Sequence, residues 1–141
     1  MRVASVEFEL RKRRSPLYRI PRDRHGEQND VMCWQSDYQA CDTLQMNTAT
    51  GDRFGTHQLS AVDSSLSVRG RAIARRIEEA TKVPTYYYLY RYGGRSGALE
   101  RKRRCPGCGG AWLLRYGAWH DEFHFRCTRC RLLSNIAWNV Q

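Results

Sequence analysis

Apolar and polar residues alternate from Val3 to Leu10, with Ala4, Val6, Phe8 and Leu10 set against Val3, Ser5, Glu7 and Glu9. This two-residue period predicts a β-strand. The run Arg11-Lys12-Arg13-Arg14 interrupts it, and Pro16 to Pro21 reads as a short extended piece between prolines. Residues 22–30 read as a polar loop. From Val31 the period changes: Trp34, Tyr38, Cys41 and Leu44 recur at helical spacing and predict a helix over 31–46. Residues 47–60, with Gly51 and Gly55, read as turns. A second helix is expected over 64–82, opened by Asp63 or Ser64 and closed before Pro84. Its core stripe is Leu66, Ile73 and Ile77, and its other faces carry Arg69, Arg71, Arg75, Arg76, Glu78 and Glu79. The stretch 85–92 reads as a tyrosine-rich strand with Tyr86, Tyr88, Tyr90 and Tyr92 on one face. That face is expected to pack on the second helix, the alternative being a platform on which nucleic-acid bases stack.

After a glycine-rich linker, 93–97, the pattern is governed by Cys105, Cys108, Cys127 and Cys130, spaced C-x2-C-x18-C-x2-C. Two such pairs around a short hydrophobic stretch have the ligand spacing of a four-cysteine zinc site. Pro106, Gly107, Gly109 and Gly110 supply the sharp turns that let both sulfurs of a pair face one ion. All-sulfur tetrahedral coordination suits zinc best, with iron as the rival, and four protein ligands leave no open position. One structural Zn2+ is therefore expected. Three strands, 112–116, 122–126 and 132–138, would make an antiparallel ribbon around it. The predicted class is α+β: residues 1–97 form a small antiparallel sheet with two helices, and residues 98–141 form a C-terminal three-stranded zinc ribbon. Replacing Cys127 by serine is expected to unfold the last third and leave the helices largely intact.

The formal net charge is +10, unevenly distributed. Residues 95–141 carry 9 basic and 3 acidic side chains, and 8 of the basic ones are arginine. Even after four thiolates and a divalent metal add about −2, this is the most basic part of the chain. Arginine favours bidentate contact with phosphate. Arg101, Lys102, Arg103 and Arg104 abut the first cysteine, and Arg126, Arg129 and Arg131 surround the second pair. Together they predict a nucleic-acid-binding surface, RNA or DNA. A merely solvated linker is the blander account of the same run. Trp112, Trp119 and Trp138 are open between stacking on bases and packing within the chain, whereas Phe123 and Phe125 are expected in the core with Cys127.

Several strings occur together: PLYRIP (16–21), CWQSDYQACDTLQMN (33–47), PTYYYLYRYGGRS (84–96), CPGCGGAWLL (105–114) and FHFRCTRCRLLSNIAW (123–138). In them the chain resembles the bacterial Zn-ribbon-containing proteins of unknown function for which nucleic-acid binding has been suggested. The resemblance covers roughly residues 16–138 and implies a zinc ribbon on the four cysteines. It implies no reaction. Members carry a further N-terminal region ahead of the PLYRIP-like string, so this chain is expected to be a shortened form or a fragment. Functions housed in that region do not carry over.

Other candidates are weaker. The segment His120 to His124 is not a helical metal motif and is expected on a polar strand face. Cys33 and Cys41 lie eight positions apart on a helix, too far to share an ion, and Cys41 is expected as a small core residue. Asp37 and Asp42 have no base, nucleophile or phosphate loop beside them, which argues against catalysis. No run of about 18 apolar residues exists to span a membrane. Neither a secretory h-region nor disulfide-like cysteine usage is found, and a cytoplasmic location is expected. A non-catalytic nucleic-acid-binding protein without a small-molecule substrate is the first expectation; a zinc-ribbon adaptor with a protein partner in a larger assembly is the second.

Overall fold

The structure is a computed structural model that describes residues 29–115 and 123–141, together with the backbone of 9–10 and 13–14. The expected strand over residues 3–8, the Pro16–Pro21 piece, the loop at 22–28, Tyr116, Trp119, His120 and Glu122 lie outside the described residues. The short strands β1 (Glu9–Leu10) and β2 (Arg13–Arg14) pair antiparallel.

Three helices form the first half: α1 (Asn29–Asn47), α2 (Asp52–Ser60) and α3 (Ser65–Thr81). Helix α1 buries Val31, Trp34 and Cys41, so Cys41 is a core residue, while Cys33 is exposed. Helix α3 starts where Ser64 caps it, the hydroxyl accepting from the Ser67 amide, and it buries Leu66, Ile73 and Ile77 as the periodicity predicts. Trp34 crosses from α1 and donates its indole N–H to the Leu66 carbonyl at 2.9 Å.

Helix α2 corrects the expectation of turns over 47–60. Gly51 does lie in a turn, with a left-handed φ of 82° before α2, but Gly55 serves helix packing. A Cβ on Gly55 would lie 2.4 Å from the Cys41 carbonyl oxygen and 3.0 Å from the Gln45 amide, so α2 approaches the α1 backbone only because residue 55 has no side chain.

Strands β3 (Tyr87–Leu89), β4 (Phe125–Cys127) and β5 (Leu132–Ser134) form one sheet in the order β3-β5-β4. β4 pairs antiparallel with β5, as expected for the cysteine-bearing segment. β3 pairs with β5 in parallel, Tyr87 opposite Leu132 and Leu89 opposite Ser134. The expected first strand, 112–116, contributes a single antiparallel bridge from Leu113 to Phe125. The tyrosine strand is therefore continuous with the cysteine-bearing strands, and the purely antiparallel sheets expected in each half are replaced by one mixed sheet.

The tyrosine alternation is also out of phase with expectation. Tyr87 and Leu89 join Leu66, Ile73 and Ile77 in the main core, with Leu132 and Phe125. Tyr86 packs on the opposite face against Phe123 and Leu133. A strand buried on both faces carries apolar residues on both, so alternation does not reveal which face meets the helices. Phe123 and Phe125 are both buried but belong to different clusters, because the alternation breaks at His124.

Two polar clamps hold the sheet together. Asn135, after β5, accepts from the Tyr88 hydroxyl at 2.9 Å and the Arg91 amide at 2.8 Å. It donates to the Arg91 and Ile136 carbonyls, each at 2.8 Å. Glu78 on α3 accepts two hydrogen bonds from the Arg131 guanidinium at 2.8 Å and one from the Thr85 amide at 3.1 Å. No helix among the described residues is long and apolar enough to cross a membrane.

Because Asn135 is buried with both amide ends satisfied, Asn135→Ala is expected to cost about 2–4 kcal/mol in urea unfolding. Exposed Asn139, which clamps Gly94 through equally short bonds, should cost about 1 kcal/mol or less on the same change. Equal losses at the two positions would disprove the buried clamp.

The Arg131 hydrogen bonds hold the Glu78 carboxyl below its ordinary value of 4.5. A lowered folded-state pKa contributes stability above the unfolded value and loses it as pH falls through the folded one. From neutral pH to below 4.5 the wild type should thus lose more stability than Glu78→Gln. Parallel stability profiles would show that the pair contributes nothing.

Candidate metal centre and basic surface

The first cysteine pair is folded by its own backbone. The Gly109 amide donates to the Cys105 carbonyl at 2.8 Å and the Cys105 amide to the Gly110 carbonyl at 2.9 Å. This turn needs the left-handed φ of 69° at Gly109, where a side chain would be strained. The second pair is built alike: the Cys130 amide donates to the Cys127 sulfur at 3.4 Å, and the following residue again has positive φ. That residue is Arg131, at φ 54°, a conformation costing a non-glycine residue about 1–2 kcal/mol. The Glu78 pair and the Arg131 guanidinium over the Tyr86 ring, 5.6 Å from its centroid, offset that strain.

The four sulfurs lie within 4.8 Å of one another and could hold a metal ion. A metal about 2.3 Å from each of four tetrahedral sulfurs sets the edges near 3.8 Å. Cys108 and Cys127 are 3.7 Å apart, which fits that edge and is far from a disulfide bond. As free thiols, Cys105, Cys108 and Cys130 titrate unevenly. The Gly110 amide, followed by neighbouring sulfurs, brings Cys108 down to about 7. Burial pushes Cys105 up, and burial with the Cys108 thiol pushes Cys130 up to about 12. Four converging sulfurs with these opposed demands are accommodated together once a cation replaces their protons.

The run Arg101-Lys102-Arg103-Arg104 separates into different roles. Helix α4 (Gly97–Arg101) ends inside it. Arg101, Lys102 and Arg104 are exposed, but Arg103 turns inward. Its guanidinium lies 4.6 Å from the Phe125 ring centroid, pairs with buried Glu100 at 3.3 Å and donates to Ser134 Oγ at 3.1 Å. Burial lowers its proton affinity, and Glu100 opposes that shift. Glu100, only 3% exposed, is also paired with Arg91 at 2.9 Å. Trp112 is 4% exposed and donates its indole N–H to the Arg103 carbonyl at 3.1 Å. Trp112 is therefore a core residue, and Arg103 is a partly buried one whose guanidinium is engaged within the fold, so neither sits on the open surface expected for it.

Around the second pair, Arg126 and Arg129 are exposed while Arg131 is held by Glu78. Trp119 lies outside the described residues. Trp138 follows β5 in a short 3₁₀ turn (Trp138–Val140) and is 38% exposed. Asp37, a weak catalytic candidate, forms a surface ion pair with Arg69 at 2.6 Å. The residues that sequence reasoning missed are Glu78, Glu100 and Asn135. Glu78 and Asn135 act on partners distant in sequence, and the burial of Glu100 between Arg91 and Arg103 is visible only in the fold.

The chain is similar to two uncharacterized proteins of Haemophilus influenzae, each 46% identical over 124 residues, or 88% of this chain. Those residues span 61% of one relative and 47% of the other, so the chain corresponds to about half the length of these curated relatives. No solved structure matches it. A second family model, a domain of unknown function (DUF8594), matches residues 94–140. The model for the domain of unknown function DUF2310 matches residues 10–90, more than half of the chain, and the chain belongs to that family.

Proposed function

We propose that the four cysteines hold one structural zinc ion and that the protein binds nucleic acid, without catalysis, through the exposed cations around that site, in the reducing cytoplasm. A closed four-sulfur set suits zinc and leaves no coordination position for a substrate. What carries the nucleic-acid reading is the placement of exposed arginines on the cysteine turns themselves. Arg104 directly precedes Cys105, Arg126 directly precedes Cys127, and Arg129 lies between Cys127 and Cys130. Arg101 and Lys102 extend this set, and Trp138 is a partly exposed aromatic residue on which a base could stack. Zinc would fix these cations at set distances, which reduces the ordering cost of phosphate contact.

The metal half of this reading is tested by elemental analysis and hydrogen exchange. About one zinc per chain is expected, lost in Cys127→Ser. Because β5 pairs with both β4 and β3, protection should fall at Tyr87–Leu89 as well as around the cysteines. This extends the expected loss beyond the last third to β3, with the helices still largely intact. Loss confined to residues 105–134, or iron in place of zinc, would refute it.

The binding half is tested by fluorescence anisotropy with single-stranded RNA, single-stranded DNA and duplex DNA. Five phosphate contacts would give a log–log salt slope of about −3.5 to −4.5. Arg104→Ala/Arg126→Ala/Arg129→Ala should reduce its magnitude by about 2–3. Salt-independent binding, or a slope unchanged by the triple variant, would overturn the assignment. Partners that co-purify after nuclease treatment would then point to the adaptor.

A further inference from the structure

Helix α3 carries four arginines on two faces, and only one face is neutralised. Arg69 and Arg76 pair with Asp37 and Asp30 of α1, at 2.6 and 2.9 Å. Arg71 and Arg75, one helical turn apart, make no ion pair among the described residues and line a cavity of about 410 Å³. The opposite wall is formed by both cysteine turns, Gly107 and Cys108 of the first and Arg129, Cys130 and Arg131 of the second, and Thr85 and Tyr87 also line the space. No carboxylate lines it. Glu78 neutralises Arg131 from outside, which leaves Arg71, Arg75 and Arg129 as three guanidinium groups around one concavity. Like charges four apart on a helix repel. Bringing a third cation against them from another element adds to that cost unless an anion occupies the space between.

We propose that this cleft between α3 and the cysteine turns binds a phosphoryl group through Arg71, Arg75 and Arg129. Guanidinium forks match phosphate oxygens in pairs. The volume exceeds one phosphate and leaves room for the group that bears it. Arg129 is shared with the proposed nucleic-acid surface, but Arg71 and Arg75 are not, and neither the exposed run at Arg101, Lys102 and Arg104 nor Arg126 lines the cleft, so the proposal goes beyond the nucleic-acid reading. A competing role for the same arginines is to neutralise the thiolates of a metal-loaded site, whose charge would be about −2.

Calorimetric titration of the metal-loaded full chain with inorganic pyrophosphate separates these roles. One site is expected, weakened about tenfold or more by Arg71→Ala/Arg75→Ala and, from the opposite wall, by Arg129→Ala. Arg76→Ala, on the same helix but outside the cleft, should leave it unchanged. Circular dichroism and melting of each variant distinguish lost binding from lost folding, and exposed Arg129 provides a variant independent of α3. Absent pyrophosphate binding, or variants that only weaken metal retention, would overturn the proposal in favour of thiolate neutralisation. Competition identifies the source of the phosphate. Displacement by single-stranded RNA would assign a backbone phosphate, and displacement by adenosine monophosphate alone a free nucleotide. Pyrophosphate binding without RNA binding would support the cleft and remove the nucleic-acid reading. RNA binding indifferent to pyrophosphate and to Arg71→Ala/Arg75→Ala would do the reverse.

Discussion

Strand β5 is paired on both edges and buried on both faces, and the two halves of the chain are joined through it. Its parallel neighbour β3 ends 42 residues before β5 begins, at Leu89 and Leu132. A parallel pair requires a crossover connection, commonly a helix packed on the sheet. Here the crossover comprises helix α4, both cysteine turns and strand β4. Closing so long a loop is entropically unfavourable, and a metal held by the four cysteines would tie its two parts together and reduce the freedom of the open chain. The metal-binding geometry and the sheet therefore support each other.

The arginines sort by whether the fold supplies them with a carboxylate. Arg69 and Arg76 staple α1 to α3 at the surface, where each pair contributes at most about 1 kcal/mol. Arg91 and Arg103 share buried Glu100, and Arg131 is bound by Glu78, so these three secure the cysteine-bearing segment to the sheet and to α3. Basic charge counted along the sequence thus overstates the surface open to a ligand. Other basic residues among the described ones lie on the cysteine turns, on the exposed part of the 101–104 run and along one face of α3.

Local features were legible and distant ones were not. Helices α1 and α3 follow from one-sided apolar spacing, and the cysteine cluster follows from pair spacing, since each pair is made within four residues. Helix α2 was hidden because Gly51 and Gly55 carry the same signal for a turn as for close helix contact. The parallel pairing of β3 with β5 leaves no mark on either strand, because both are apolar on both faces. Arg103 could not be told from Arg101, Lys102 and Arg104 by composition. Its inward turn depends on Glu100, Trp112 and Phe125, which converge only in the folded chain.

The position of Arg131 links these observations. It follows the last cysteine, adopts the left-handed backbone that closes the second turn, and leads directly into β5. Its guanidinium reaches Glu78, one helical turn beyond Arg75 and Ala74 on α3. A change in the cysteine site that relaxed this backbone would therefore act on three things at once. It would disturb the start of the central strand, release the ion pair that locks α3 to the turn, and alter the separation of Arg129 from Arg75. Were a metal held by the four cysteines, its loss would act on the cationic surface through this one residue.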